Sequence, residues 1–307
     1  MFDALCSHPD IGWFSPQMNR LPRFPAVLLL ARLADLNDSL RKSINRSDQR
    51  RSWTEKLRVG PAESYGVWQH CCGEKFLFDF LLDVESTEAE RRCIRRMVAK
   101  ALRYEGKERF ATKITGPARI RYLASIFDDA LFVHVVRDGR AVVQSLMKVH
   151  FWKGTWRERQ PAWRNGLLER HLARWREFER SPLALAAIQW SVVVEGARDE
   201  AARFAPDRYA ELRYEDFVAD PHRVLDEITA FCGLDRSAKV HEFVDARIEV
   251  RDMNFRWAER FDAGEIEMLN ELMGDSLASF GYTPDSGPRP LDGPPVRSPF
   301  ILVNPAQ

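Results

Sequence analysis

The sequence has 307 residues, of which 45% are apolar and 30% are charged, with 46 Lys and Arg against 45 Asp and Glu. A chain of this length can bury a sizeable core as one large domain or two small ones. Its net charge of +1 gives no argument for bulk electrostatic binding to nucleic acid or to an anionic membrane, so any anion must be bound locally.

The first sixty residues show little regular patterning. The segment 1–14, MFDALCSHPDIGWF, lacks the basic start of a signal peptide and is patterned like the middle of a helix. Residues 40–59 are polar and basic, which predicts a mobile, solvated surface segment. The chain has no run of eighteen apolar residues, so the sequence predicts no transmembrane helix.

A helix is predicted from Thr87 to Tyr104. Thr87 and Glu90 have the spacing of a capping box, and Gly106 stands where a helix would end. Five side chains recur at helical spacing on one face and are expected to pack on the core: Cys93, Ile94, Met97, Val98 and Ala101.

Strands and helices alternate over residues 109–149. The pattern predicts a strand, a helix, a strand and a helix at 109–113, 118–127, 130–136 and 139–149. This order is typical of βαβ units, in which helices cover both faces of a parallel sheet.

The C-terminal half continues in the same way after an aromatic and basic loop at 150–166. Two helices are predicted next, the second of which begins at Ser181-Pro182. A strand at 208–214 is followed by a helix that Asp220-Pro221 caps and Gly233 closes.

The simplest division of the chain is one α/β domain over residues 1–283 and a tail over 284–307. The tail is rich in Pro and Gly and is expected to be irregular. No internal repeat or heptad array suggests a further unit.

The cysteines predict a reducing environment. The chain has five, an odd number without CxxC spacing: Cys6, Cys71, Cys72, Cys93 and Cys232. Reduced core thiols in a cytoplasmic protein are therefore expected, with neither a disulfide frame nor a zinc site.

The stretch 135–145, VVRDGRAVVQS, is the strongest candidate for a binding site. Arg137 lies at the tip of a predicted strand, where ligands of open α/β sheets bind, and Gly139 allows a tight turn into the next helix. The guanidinium and the positive helix N-terminus suit an anion such as phosphate, to which Ser145 can add a hydroxyl. The alternative is an ion pair between Arg137 and Asp138 that caps the helix.

Three blocks of the chain resemble sulfotransferases that use 3′-phosphoadenosine 5′-phosphosulfate (PAPS), in their bacterial-type branch. Residues 110–146 resemble the family's core, with Arg137 and Ser145 at the separation of its 3′-phosphate motif. Residues 208–234 and 256–282 are similar to later family elements, and 8–14 to the end of its first helix. The resemblance implies a three-layer, P-loop-NTPase-like α/β fold with a central parallel sheet flanked by helices.

The resemblance also implies how the donor PAPS is bound. Arg137 and Ser145 would hold its 3′-phosphate, and Tyr214 would lie against the adenine. Arg251 and Trp257 roughly parallel a basic loop that closes over the nucleotide, although the glycines usual there are absent.

Lys113 matches a family lysine near the transferring sulfuryl group, where its charge would offset developing negative charge. Many relatives place a histidine two residues later, but this chain has Thr115. A general base must then come from elsewhere, and Glu63 and His70 are the candidates.

One departure from the family pattern concerns the donor site itself. The family begins with a strand and a PxSGT-like loop for the 5′-phosphosulfate, and this sequence contains no such stretch. The expectation is a fold that lacks its N-terminal strand and P-loop, through a misassigned start or natural shortness, with impaired catalysis.

The leading hypothesis is metal-free sulfuryl transfer from PAPS to a hydroxyl or amine of a small-molecule, lipid or carbohydrate acceptor. Trp152, Trp156 and Trp163 could line the acceptor's entrance or pack internally. The alternatives are a nucleotide or small-molecule kinase, which the missing Walker lysine argues against, and a non-catalytic protein that binds the nucleotide.

Overall fold

The computed structural model describes residues 1–24, 60–149, 163–247, 254–283 and 301–302. The predicted surface segment at 40–59 lies outside these residues, as do Trp152, Trp156 and Arg251. None of the described helices is both long and apolar enough to cross a membrane.

The described strands form two small sheets. β1 (Ile11–Gly12) pairs in parallel with β2 (Arg109–Phe110). In the other sheet β4 (Tyr209–Arg213) lies between β3 (Phe132–Val136), to which it is parallel, and β5 (Ile301–Leu302), to which it is antiparallel.

Helices cover these strands. The first six are α1 (Phe2–Leu5), α2 (Pro16–Arg20), α3 (Tyr65–Cys72), α4 (Lys75–Phe78), α5 (Glu88–Glu105) and α6 (Ile120–Ile126). The next four are α7 (Gly139–Leu146), α8 (Glu169–Glu177), α9 (Pro182–Phe204) and α10 (Tyr214–Ala219). The last three are α11 (Pro221–Phe231), α12 (Ala238–Arg247) and α13 (Ala263–Ser279).

The predicted α/β class, with parallel strands flanked by helices, is confirmed. Two predicted caps are present: Thr87 and Glu90 form a capping box at the start of α5, and Asp220 accepts the Arg223 amide at the start of α11. Ser181 occupies the predicted N-cap position of α9, but its side chain makes no capping hydrogen bond with the described residues. Gly106 ends α5 in the left-handed conformation at φ 67°. These features were predictable because each depends on residues within one helical turn.

Several predicted boundaries are wrong. The 8–14 segment does not end a helix, because α1 stops at Leu5 and β1 follows. The 109–113 strand is limited to β2. The tail expected to be irregular contributes β5, whose backbone pairs with Ala210 and Glu211 of β4.

The predicted buried strand at 130–136 is less covered than expected. Only Val136 of β3 is buried, and the other four residues are half-buried. Among the described residues β3 pairs on one edge only, with β4. The apolar run alone did not reveal this, since a strand at the edge of a sheet can be as apolar as a central one.

The long helix α9 forms the centre of the core. It packs against α6, α7, α8 and α13. Its buried Glu200 accepts hydrogen bonds from two backbone amides of the N-terminal half, Asp83 and Ile120, both at 2.9 Å. Burial raises the pKa of Glu200, and these hydrogen bonds act in the opposite direction.

A polar cluster joins β3, β4 and α9. Glu211 of β4 accepts hydrogen bonds from Arg198 at 2.6 Å and from the Tyr209 hydroxyl at 2.9 Å. The His134 ring lies 2.6 Å from the same hydroxyl. Burial alone would raise the pKa of Glu211, but interactions with His134 and Arg198 lower it to about 2. Glu211 is therefore a carboxylate at neutral pH.

The prediction that all cysteines are reduced is wrong. Cys71 in α3 and Cys93 in α5 form a disulfide, and their Cα atoms are 5.5 Å apart. The two helices pack against each other and bring together residues 22 positions apart, a contact that no short spacing in the sequence indicates. Cys6 and Cys72 are buried free thiols, and Cys232 is a half-buried one.

We expect alkylation of the denatured, unreduced protein to modify three of the five cysteines, and all five after reduction. Peptide mass spectrometry should find Cys71 and Cys93 in one linked species. Replacing Cys93 by Ser should lower the free energy of unfolding by about 3 kcal/mol, because the loop it closes is no longer constrained. Five reactive thiols before reduction would contradict the disulfide.

Candidate functional site

The carboxyl ends of β3 and β4 bring two predicted site residues together. In the parallel register Val136 lies opposite Arg213, so the next residues along the chain, Arg137 and Tyr214, leave the sheet side by side. The Arg137 guanidinium stacks over the Tyr214 ring at 4.8 Å from its centroid. Both side chains are half-buried, which leaves part of each accessible to a ligand.

Asp138, which the sequence analysis considered as a partner of Arg137, forms an ion pair with Arg140. Asp138 caps α7 by accepting the Arg140 amide at 2.9 Å, and it also accepts two guanidinium hydrogen bonds from Arg140, at 3.1 and 2.8 Å. Arg140 has no exposed surface, and Asp138 is only 5% exposed. The charge of Asp138 is thus balanced within the turn.

Trp257 completes this buried turn. Its ring lies 4.2 Å from the Arg140 guanidinium carbon, and Arg140 also donates to the Thr283 carbonyl at 3.2 Å. Trp257 is 4% exposed, so protein atoms already cover most of its surface. Trp257 therefore packs against Arg140 and stabilises the turn that follows Arg137.

Gly139 is required for close packing. A Cβ atom there would lie 2.4 Å from Met273 and 2.7 Å from Trp190, both too close for any side chain to be accommodated without movement. The sequence analysis predicted that Gly139 allows a tight turn. In the structure a glycine is needed there because α13 and α9 approach the start of α7 closely.

Glu215 fixes the two strand ends to each other. One carboxylate oxygen accepts the Asp138 amide at 3.2 Å, and the other accepts the Tyr282 hydroxyl at 2.7 Å. Burial raises the pKa of Glu215, and the hydrogen bond from Tyr282 opposes this effect. Glu215 thus links the β3–α7 turn to the segment after α13.

Ser145 lies on the same helix as the turn but farther along it. It is exposed on α7, six residues after Gly139, or about 9 Å along the helix axis. A ligand that reaches both Arg137 and Ser145 would therefore have to lie along α7.

A second group of predicted residues meets at the end of β2. Lys113 and Glu63 form an ion pair at 2.7 Å, and Glu63 also accepts a hydrogen bond from the Thr115 hydroxyl at 3.2 Å. Both charged side chains are partly exposed, at 46% and 34%. Two of the three predicted catalytic residues are thus in direct contact.

Tyr65 is a residue of this group that the sequence analysis missed. Its hydroxyl accepts the Thr115 amide at 2.8 Å and donates to the Thr115 carbonyl at 2.7 Å. These bonds hold the segment after Lys113 against the start of α3. Tyr65 lies fifty residues before Thr115, and no local pattern in the sequence indicates the contact.

The remaining predicted residues lie apart. His70 is exposed on α3 and faces α5, where it lines a pocket with Arg92 and Arg96. Trp163 packs edge-on against Phe80 at 6.2 Å and covers Gly116. The described residues include no group of three or more potential metal ligands.

An arginine and a tyrosine thus lie at neighbouring strand ends, and a lysine–glutamate pair lies beyond the end of a third strand, in a fold of the α/β class. A model of the sulfotransferase family matches residues 2–238, which is most of the chain. The chain belongs to the sulfotransferase family.

Two known proteins show how far this similarity extends. Over 180 residues the chain is 27% identical to Carbohydrate sulfotransferase 5 of Mus musculus, covering 49% of this chain and 41% of the mouse protein. The chain thus aligns with less than half the length of that relative. Sulfotransferase STF9 from Mycobacterium avium superposes with a TM-score of 0.55 at 15% identity, covering 91% of this chain and 72% of that one. At this identity the superposition shows a shared fold alone.

We expect the Arg140→Ala variant to lose about 3–5 kcal/mol of unfolding free energy, because the buried Asp138 carboxylate is left without its partner. A double variant, Asp138→Asn with Arg140→Met, should lose less, since no unpaired charge remains. Urea denaturation of both proteins measures the difference. An equal loss would mean that packing on Trp257, and not the stranded charge, dominates.

Proposed function

We propose that this protein transfers a sulfuryl group from PAPS to a hydroxyl or amine of an acceptor. The observation that carries the proposal is the stacking of Arg137 on Tyr214 where β3 and β4 end together. A cation beside an aromatic face suits a nucleotide that has a phosphate next to its base.

Arg137 and Ser145 are the proposed ligands of the 3′-phosphate, and Tyr214 is the proposed contact of the adenine. The structure supports this fit because the half-buried Arg137 side chain stacks on Tyr214 and is still partly accessible to a ligand. The first turn of α7 adds the positive end of a helix dipole, although Asp138 already accepts one of its amides.

Trp257 is proposed to act through Arg140. Because it is almost fully buried against that guanidinium, its role would be to hold the Arg137 turn in place. Arg251 stays a predicted contact of the nucleotide and lies outside the described residues.

Lys113 and Glu63 are the proposed catalytic pair. PAPS supplies a sulfuryl group on a good leaving group, which an acceptor oxygen or nitrogen can take in a single in-line displacement. Lys113 would stabilise the negative charge that develops at the reacting centre. Glu63, 2.7 Å from Lys113, would accept the acceptor's proton, and this contact favours Glu63 over His70 as the general base.

The acceptor is proposed to be a carbohydrate, with small molecules and lipids as the other classes to test. The support is the name of the mouse relative, Carbohydrate sulfotransferase 5. The predicted cytoplasmic location depended on reduced cysteines, and the Cys71–Cys93 disulfide removes that support. A location is therefore not part of the proposal.

Calorimetric titration with 3′,5′-adenosine bisphosphate tests the nucleotide site. We expect binding by the wild-type chain and at least a tenfold weaker affinity for Arg137→Ala, since a charge-assisted hydrogen bond contributes about 1.5–3 kcal/mol. Arg103→Gln is a matched control, because it removes one exposed charge from α5. Equal affinities for the wild type and Arg137→Ala would contradict the assignment.

Transfer of labelled sulfate from PAPS tests the catalytic pair. We expect Glu63→Gln to lower kcat by about 10²–10⁴-fold with little change in bisphosphate affinity, the effect of losing a general base. The control Glu267→Gln, at an exposed position of α13, should keep full activity. A wild-type chain that binds the bisphosphate but transfers no sulfate would favour the non-catalytic binding protein.

A further inference from the structure

A cationic pocket lies between α3, α5 and the segment that follows α2, at a place that the proposed chemistry does not use. It has a volume of about 430 Å³ and is lined by five basic side chains: Arg23, His70, Arg92, Arg96 and Lys100. Its other lining residues are apolar or uncharged, such as Met97 and the disulfide-bonded Cys93, and none of those recorded is acidic.

Three of these cations form a ridge along α5. Arg92, Arg96 and Lys100 follow one another at intervals of four residues, which stacks them on one helix face about 6 Å apart. Like charges at this spacing repel and destabilise a helix by a few tenths of a kcal/mol per pair. An arrangement of this kind is unfavourable unless a negatively charged partner offsets it.

Two other arginines of α5 have partners within the protein. Arg91 pairs with Glu88 at 3.5 Å, and Arg95 donates to the Ile126 carbonyl at 2.5 Å. Among the pocket's cations, Arg92 reaches Glu88 at 3.3 Å. The structure records no ion pair with any described residue for Arg23, Arg96 or Lys100. The positive charge of these three side chains is thus concentrated at the pocket.

The disulfide makes the pocket a fixed site. Cys71 directly follows His70, and Cys93 directly follows Arg92, so the Cys71–Cys93 bond ties the backbones of both walls together. Donors held in place lose less conformational entropy when they bind a ligand than donors on separate mobile elements.

We propose that this pocket binds an anion that carries two or more phosphate or sulfate groups. Guanidinium groups bind such oxyanions through paired hydrogen bonds, and the ridge offers successive donors about 6 Å apart. A single oxyanion would bind at only one position along the ridge, whereas an extended polyanion would neutralise several of its cations at once. The site is separate from the nucleotide site at Arg137.

Isothermal titration of the full chain tests the proposal with three probes: inorganic phosphate, tripolyphosphate and sucrose octasulfate. We expect one or both multivalent anions to bind, and to bind more tightly than inorganic phosphate. Arg96→Gln should weaken this binding about tenfold, which corresponds to one charge-assisted hydrogen bond. Arg103→Gln, which removes a charge from α5 outside the pocket, should change it less than twofold.

The controls separate this site from the nucleotide site and from general electrostatics. Arg137→Ala should keep its affinity for the multivalent anion, and saturating 3′,5′-adenosine bisphosphate should not displace that anion. A preference for sucrose octasulfate would identify a sulfated saccharide, and a preference for tripolyphosphate a phosphate ester or polyphosphate. The proposal is overturned by no binding, by equal losses in Arg96→Gln and Arg103→Gln, or by loss of binding in Arg137→Ala.

Discussion

The buried ion pair between Asp138 and Arg140 is the interaction on which the proposed nucleotide site depends. The two turn residues, separated by Gly139, are removed from water, and two guanidinium hydrogen bonds balance their charges. The pair sets the direction in which the chain leaves β3. Arg137, one residue earlier, stacks on Tyr214.

The elements around this pair each satisfy one part of it. Trp257 covers one face of the Arg140 guanidinium, and the Thr283 carbonyl accepts a hydrogen bond from the same group. Glu215 binds the Asp138 amide, and Tyr282 binds Glu215 in turn. Three segments far apart in sequence thus converge on one turn, because a buried charge is tolerated only when its hydrogen bonds are complete.

What the sequence could predict depends on how far a feature reaches along the chain. The capping box at Thr87 and the alternation of strands and helices over 109–149 are local, and both were predicted. The approach of Arg137 to Tyr214 follows from the fold, since parallel strands that end in register place their next residues together. The pairing of Asp138 with Arg140 could not be predicted, because Arg137 is even nearer to Asp138 in sequence.

Contacts between helices were the least predictable. The Cys71–Cys93 disulfide, the pocket beside His70 and the hold of Tyr65 on Thr115 all depend on how α3 packs against its neighbours. Periodicity indicates that a helix has an apolar face, but it does not indicate which other helix covers that face or at what offset. The ion pair between Lys113 and Glu63 was equally unpredicted, although both residues had been identified as candidates for the site.

The position of Glu200 bears on how the chain is made. Among the described residues the acceptor recorded for the Asp83 and Ile120 amides is this side chain, which is translated 117 and 80 residues later. During synthesis these two amides therefore stay hydrogen-bonded to water until α9 has emerged from the ribosome. Since domains generally fold as units during translation, the N-terminal half should not complete its native structure as a separate early step.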